Sequence, residues 1–368
     1  MKTPSIKKGR IIIYRLFDAA QEINLAMIEL KEKEGAKRLK LSKTPYMKAI
    51  EIANPPLSFD LKPFSKRLFD REVKIQVIAK AFDFGVISIA FDVPVPEGAT
   101  FAELEATSRA LEGDPSINEI AKEYVLQLFD SFGAHILSPE IKQDFIEDYL
   151  IFYIEELTGD VPGFKAQDFL RHYDAARLLL YEERDLSAFT RKETLRHCFS
   201  YYPDDLIIVH IDNALIIDPT GSTDMPDILE FANAQILELR YYDHVIDAEL
   251  SWIYGELTTR GIAFFRLRKY EKIAKKITRI LTEMTQITEK VNNALKVTED
   301  IYYARIYRTF MSILRCREWE DSIGEKLRII TNTYKMLHDE ISSKRTYVIE
   351  LSILILIAIE FALVLLNE

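Results

Sequence analysis

From Pro226 almost to its end, the chain repeats apolar residues in alternating steps of three and four, a spacing that only a helix gathers onto one face. Leu229, Ala232, Ile236, Leu239, Ile246, Leu250 and Ile253 form a first seam, with Asp243 filling the register position between Leu239 and Ile246. Ile273, Ile277, Ile280, Met284, Ile287, Val291 and Ala294 form a second, unbroken seam. Ile323, Leu327, Ile330, Tyr334, Leu337 and Ile341 form a third. Between the last two, "NNALKVTED" is polar enough to turn the chain, with Thr298 or Asp300 as a helix cap. Residues 223–346 are therefore expected to form a long antiparallel, coiled-coil-like helical hairpin packed against an earlier helix. A carboxylate on an apolar seam is costly unless paired. Asp243 thus predicts a cationic partner, with Arg305, Arg308 and Arg315 as candidates, or else a hydrated place at the seam's edge.

The closing run "YVIELSILILIAIEFALVLL", residues 347–366, poses a sharper choice. It reaches the length of about 20 residues that a helix needs to cross a bilayer. Glu350 lies near its start and can reach the interface, whereas Glu360 lies near its middle. Lys344 and Arg345 precede it and no basic residue follows, so the positive-inside rule would leave the body on the cytoplasmic side of a tail-anchored protein. Ala358 and Ala362 flank Glu360 as a small-xxx-small pair, which would let a second helix approach and make Glu360 a hydrogen-bonded latch. The alternative is a water-soluble homo-oligomer whose C-terminal helices bury one another.

The first 222 residues read as an α+β domain. "GRIIIYRLF" and "DYLIFYIEEL" are strand-like, and "VKIQVIAKAFDFGVISIAFDVPVP" reads as two strands around a turn near Asp83–Gly85. A single sheet with helices on one face is the simplest architecture. In "LIIVHIDNALIIDPTGSTDMPD", Asp212 and Asn213 suit a hairpin turn, and Asp218-Pro219-Thr220-Gly221 suits a type I turn. A phosphoaspartyl reading of Asp218 lacks a companion lysine or acidic motif. With 12 glycines and 13 prolines in 368 residues, long helices are favoured over a turn-rich all-β fold.

The net charge of −10 is unevenly spread. Residues 1–80 carry 18 Lys+Arg against 9 Asp+Glu, residues 81–260 carry 12 against 35, and residues 261–368 carry 18 against 14. The basic ends could rest near anionic lipid or RNA, although no nucleic-acid module is recognisable. Cys198 and Cys316 have no partner spacing and read as reduced thiols. The six histidines form no HxH or HExxH pattern, and no phosphate-binding glycine loop is present. His244 with Asp243 and Asp247 could share a helix face as a metal site, but His210 alternates with strand residues as a structural histidine would. Tyr302, Tyr303, Tyr307, Phe310 and Trp319 read as packing rather than an RNA-stacking platform. No cofactor, metal or specific small molecule is expected. The N-terminus lacks the features of a signal or transit peptide.

Two segments carry a resemblance. "DIYYARIYRTFMSILRCREWEDSIGEKLRIITNTYKMLHDEISSKRTYVIELSILILIAIEFALVLL", with its placement of Glu350 and Glu360, resembles the end of the required-for-meiotic-nuclear-division family. "FDFGVISIAFDVP", centred on Gly85 and Val86, resembles that family's aromatic-x-Gly-Val strand. "ILEFANAQILELRYYDHVIDAEL" is similar to a bacterial branch of uncharacterised proteins. The resemblance implies an α+β domain, a helical hairpin, an apolar C-terminal helix and no established catalytic activity. Its eukaryotic members include an inner mitochondrial membrane protein that supports organellar translation and forms a large homo-oligomer. The resulting expectation is a non-enzymatic, membrane-anchored, self-associating scaffold that meets a protein or ribonucleoprotein partner.

Overall fold

The run "IIIYRLF" lacks the polar/apolar alternation of a half-exposed strand, and its consequence is visible in the computed structural model. Ile11, Ile12, Ile13, Tyr14, Arg15 and Leu16 are all buried, so strand β1 (Ser5–Asp18) is covered on both faces. The structure describes residues 5–32, 35–41, 50–158, 166–182, 184–258, 263–297 and 302–366. The suggested cap at Thr298 or Asp300 lies outside them.

The chain forms two compact units, Met1–Tyr241 with Lys290–Arg317, and Tyr242–Glu289 with Glu318–Glu368. Among the described residues, the first is built on a ten-stranded sheet. Its strands are β1, β2 (Ala36–Arg38), β3 (Leu57–Leu68), β4 (Arg71–Ala81), β5 (Val86–Val95), β6 (Ile146–Thr158), β7 (Cys198–Phe199), β8 (Leu206–Val209) and β9 (Asn213–Ile217). They lie in the order β7-β8-β9-β6-β1-β5-β4-β3-β2, with Ala99–Thr100 added beside the start of β1. Neighbours are antiparallel except β6 and β9, which pair in parallel from Leu150 opposite Asn213 to Ile154 opposite Ile217. That pairing requires a crossover. The chain supplies one through α4 (Ala166–His172), α5 (Ala175–Leu180), α6 (Ala188–Thr194) and the β7/β8 pair, after the earlier helices α1 (Leu25–Lys31), α2 (Phe101–Glu112) and α3 (Pro115–Phe132).

Helices cover both faces of this sheet, not one. On one face Ile11, Ile13 and Phe17 share a core with Phe101, Leu104, Ile117 and Val125. The other face receives the first part of α7 (Asp224–Thr258) and α9 (Tyr302–Ile313). There Phe231 lies edge-on to Phe82 at 5.2 Å, and Phe310 to Tyr149 at 5.2 Å. The β4/β5 turn falls where the sequence suggested. Gly85 adopts φ +107°, and a Cβ there would sit 2.0 Å from the Ala20 carbonyl oxygen, so only glycine fits. The Asp218 turn also forms, closed by Gly221 N–H donating to Asp218 O at 3.3 Å.

The second unit comprises the rest of α7, most of α8 (Ala263–Ala294) and most of α10 (Cys316–Leu366). Among the described residues no helix is long and apolar enough to cross a membrane. This overturns the expected tail anchor, and with it the expected membrane localisation.

Candidate functional site

The second unit is a seam-packed set of helices. Ile246, Ile253, Ile273, Ile277, Ile280, Ile323, Ile330 and Leu337 are buried. Ion pairs fix the pairing of α7 with α8. Glu249 meets Lys276 at 2.6 Å and Glu256 meets Lys269 at 3.1 Å, so the partner number falls as the chain advances and the two helices are antiparallel. Lys276 also lies over the Trp252 ring, 3.7 Å from its centroid.

Asp243 is buried on its seam, as its register position implied. Lys326 Nζ and Ser322 Oγ each donate to its Oδ1 at 2.7 Å, and Lys326 also meets Asp247 at 2.7 Å. Burial works against the charge of Lys326, but the two carboxylates outweigh it and hold its pKa above the usual lysine value. The cation at Asp243 is therefore Lys326, rather than Arg305, Arg308 or Arg315, which belong to the other unit. A lysine one residue before the seam position Leu327 and four after Ser322 was the available signal.

The two basic residues before the closing run have partners of their own. Arg345 Nη2 donates to Glu271 of α8 at 2.5 Å. Lys344 pairs with Glu340 at 2.7 Å and lies over the Tyr270 ring. They tie α10 to α8 instead of flanking a membrane. Ile341 is the last buried residue described on α10; from Ser342 to Ile359 none is buried. Glu350 and Ala358 are exposed, while the side chains of Glu360 and Ala362 lie outside the described residues. Ten large apolar side chains between Tyr347 and Ile359 expose about half of their surface or more, from Ile355 at 49% to Tyr347 at 69%. Leu354, Ile355, Leu356 and Ile357 are consecutive, so at roughly 100° per residue they surround the helix rather than forming one stripe.

The first unit holds a polar centre that sequence reasoning missed. Lys80 of β4 donates to Asp227 at 2.6 Å and to Glu230 at 2.5 Å, both on α7, and all three are buried. Burial opposes the lysine charge, yet the two carboxylates push its pKa above the usual range, and burial raises that of Glu230. At the end of β1, fully buried Asp18 accepts from Lys142 at 2.7 Å. Burial drives the Asp18 pKa up to about 6 against the opposing pull of Lys142. Lys80 thereby pins α7 to β4, and Lys142 pins the segment before β6 to the end of β1.

Residues 8–224 match the family described as the N-terminal domain of the uncharacterized protein MJ0711. The matched stretch is more than half of the chain and ends where α7 begins. The chain belongs to this family. Within it, the uncharacterized protein MJ0711 of Methanocaldococcus jannaschii is 24% identical over 224 residues, which is 60% of this chain and 66% of the relative. The alignment thus spans slightly less than two thirds of that relative's length. No solved structure matches the chain. The match names this family, not the required-for-meiotic-nuclear-division family that two segments resemble.

Proposed function

We propose that this member of the MJ0711 N-terminal domain family is a non-enzymatic, self-associating interaction protein. The closing part of α10 packs against the same helix of other copies, and the sheet unit meets a protein or ribonucleoprotein partner. The supporting observation is the bare apolar end of α10. Ten half-exposed side chains amount to roughly 1,000 Å² of apolar surface, more than the few hundred Å² a monomer ordinarily leaves in one patch. A groove on a different protein would cover one stripe of such a helix. A bundle of identical helices covers more of it, because every copy brings the same surface to a neighbour on each side. The resemblance to the required-for-meiotic-nuclear-division family supports the same reading, since it implies homo-oligomerisation without an established catalytic activity. A tie to translation enters the proposal through that resemblance alone.

Sedimentation velocity on the full chain tests this. The full chain should sediment as an oligomer, and a Leu354→Glu, Leu356→Glu, Ile357→Glu triple variant should sediment as a monomer with an unchanged helical circular-dichroism signal. A monomeric parent chain at micromolar concentration sinks the proposal.

A further inference from the structure

A cavity of about 540 Å³ opens within the first unit, between the loops flanking β8 and β9 and the start of α9. Four tyrosines build one continuous side of it. Tyr202 lies edge-on to Tyr201 at 4.8 Å, Tyr201 meets Tyr302 at 5.2 Å, and Tyr302 meets Tyr303 at 5.5 Å. The first two are half-exposed and the last two are buried, so the aromatic wall runs from solvent into the interior.

Four aspartates, with the uncharged Ile207, Pro219, Thr220 and Ser222, complete the lining. Asp204, Asp205, Asp218 and Asp224 all border the cavity, and among the described residues its lining contains no lysine, arginine or histidine. Two of the carboxylates are held in place by backbone N–H groups. Asp205 accepts from Tyr201 N–H at 2.7 Å, and Asp218 accepts from Thr220 N–H at 2.9 Å and Thr220 Oγ1 at 2.7 Å. Burial pushes the Asp205 carboxyl up and the nearby Asp218 charge adds to that, as expected where like charges share a space. A second, independent observation lies on the aromatic side. Tyr302 is 8% exposed, and its buried hydroxyl has no hydrogen-bond partner among the described residues. A buried hydroxyl without a partner carries a desolvation cost that a ligand can relieve.

Tyrosine faces and carboxylates share one kind of ligand, an organic cation. Ring faces attract ammonium groups and carry the methylenes between them, and carboxylates neutralise the charge. A compact metal ion fits poorly, because among the described residues no group of three or more His, Cys, Asp or Glu is close enough to hold one. Carboxylates spread around a cavity match a ligand whose charges are spread along a chain. We propose that this cavity binds an aliphatic polyamine, its ammonium groups distributed over the four aspartates and its methylenes lying along the tyrosine wall. One ammonium N–H is donated to the Tyr302 hydroxyl.

Calorimetric titration of the full chain with spermidine, at about 0.15 M salt to screen diffuse attraction, is the test. Saturable one-site binding is expected, and neither tetramethylammonium nor Mg²⁺ at equal concentration should displace it. Tyr302→Phe should weaken binding about five- to tenfold while leaving the ligand-free melting temperature at or above the parent value, since the lost hydroxyl had no partner. Asp204→Asn, at an exposed position, should weaken binding about threefold or more. Unchanged affinity in both variants, or displacement of spermidine by an equal concentration of Mg²⁺, overturns the proposal.

Discussion

Two stretches of nearly identical character meet opposite fates in this molecule. "IIIYRLF" in β1 is sealed on both faces by its own chain, whereas "ILILIAI", residues 353–359 of α10, is bare on every side. An apolar run is a demand for cover, and its composition does not say who supplies it. In β1 the supplier is local. Sheet neighbours satisfy the backbone, and α2, α3, α7 and α9 cover the side chains. At the end of α10 no described residue of the chain supplies it, and the proposed source is other copies.

The largest expected effect breaks the two runs apart. Ile13→Asp puts an unpaired carboxylate into the sheet core and should cost about 4 kcal/mol or more, seen as unfolding or insolubility. Ile355→Asp in α10 should leave the melting temperature of the sheet unit unchanged and lower only the sedimenting mass. Equal damage from both would erase the distinction.

A smaller contrast lies in the ion pairs. Lys80→Met strands two buried carboxylates at the sheet and should cost about 3–5 kcal/mol in urea unfolding. Lys326→Met in the helical unit should cost about 1–2 kcal/mol, because Ser322 still donates to Asp243 and the lysine is partly exposed. A pH-dependent contrast concerns the end of β1. The folded protein holds the Asp18 proton more tightly than the unfolded chain, so that group's contribution is fully present below about pH 4 and lost as pH rises through about 6. Relative to Asp18→Asn, the parent chain should lose about 3 kcal/mol across that window. A flat difference between the two unfolding curves would remove Asp18 from the account.

Much of the fold was legible because it rests on periodicity. The heptad positions Ile273, Ile277, Ile323 and Ile330 are buried as their spacing requires, and β1, β4, β5 and β6 lie where branched and aromatic runs placed them. The unbroken run of β1 already signalled two covered faces, which the expectation of helices on one face passed over. Lys80 was hidden by its strand, since Glu72, Lys74, Gln76, Ile78 and Lys80 alternate as a solvated face would. Only the arrival of α7 buries the last of them. The demand of Asp243 for a cation was readable, but not the choice of Lys326, which lies beside the seam rather than on it. The tail misled by length, because a long apolar run satisfies the arithmetic of a membrane and of a bundle alike. The cavity could not be read at all, since its tyrosine pairs stand about a hundred positions apart and meet only through the fold.

The first unit is discontinuous in sequence, and its second face is completed by α9 only after the whole of α8 has been made. Tyr149 therefore waits for Phe310 while the chain is still on the ribosome. At about 5–20 residues per second, that interval is roughly ten to thirty seconds. During it, the face of the sheet that α9 later covers lacks that cover. Completion of that face is therefore tied to the synthesis of α8 and α9.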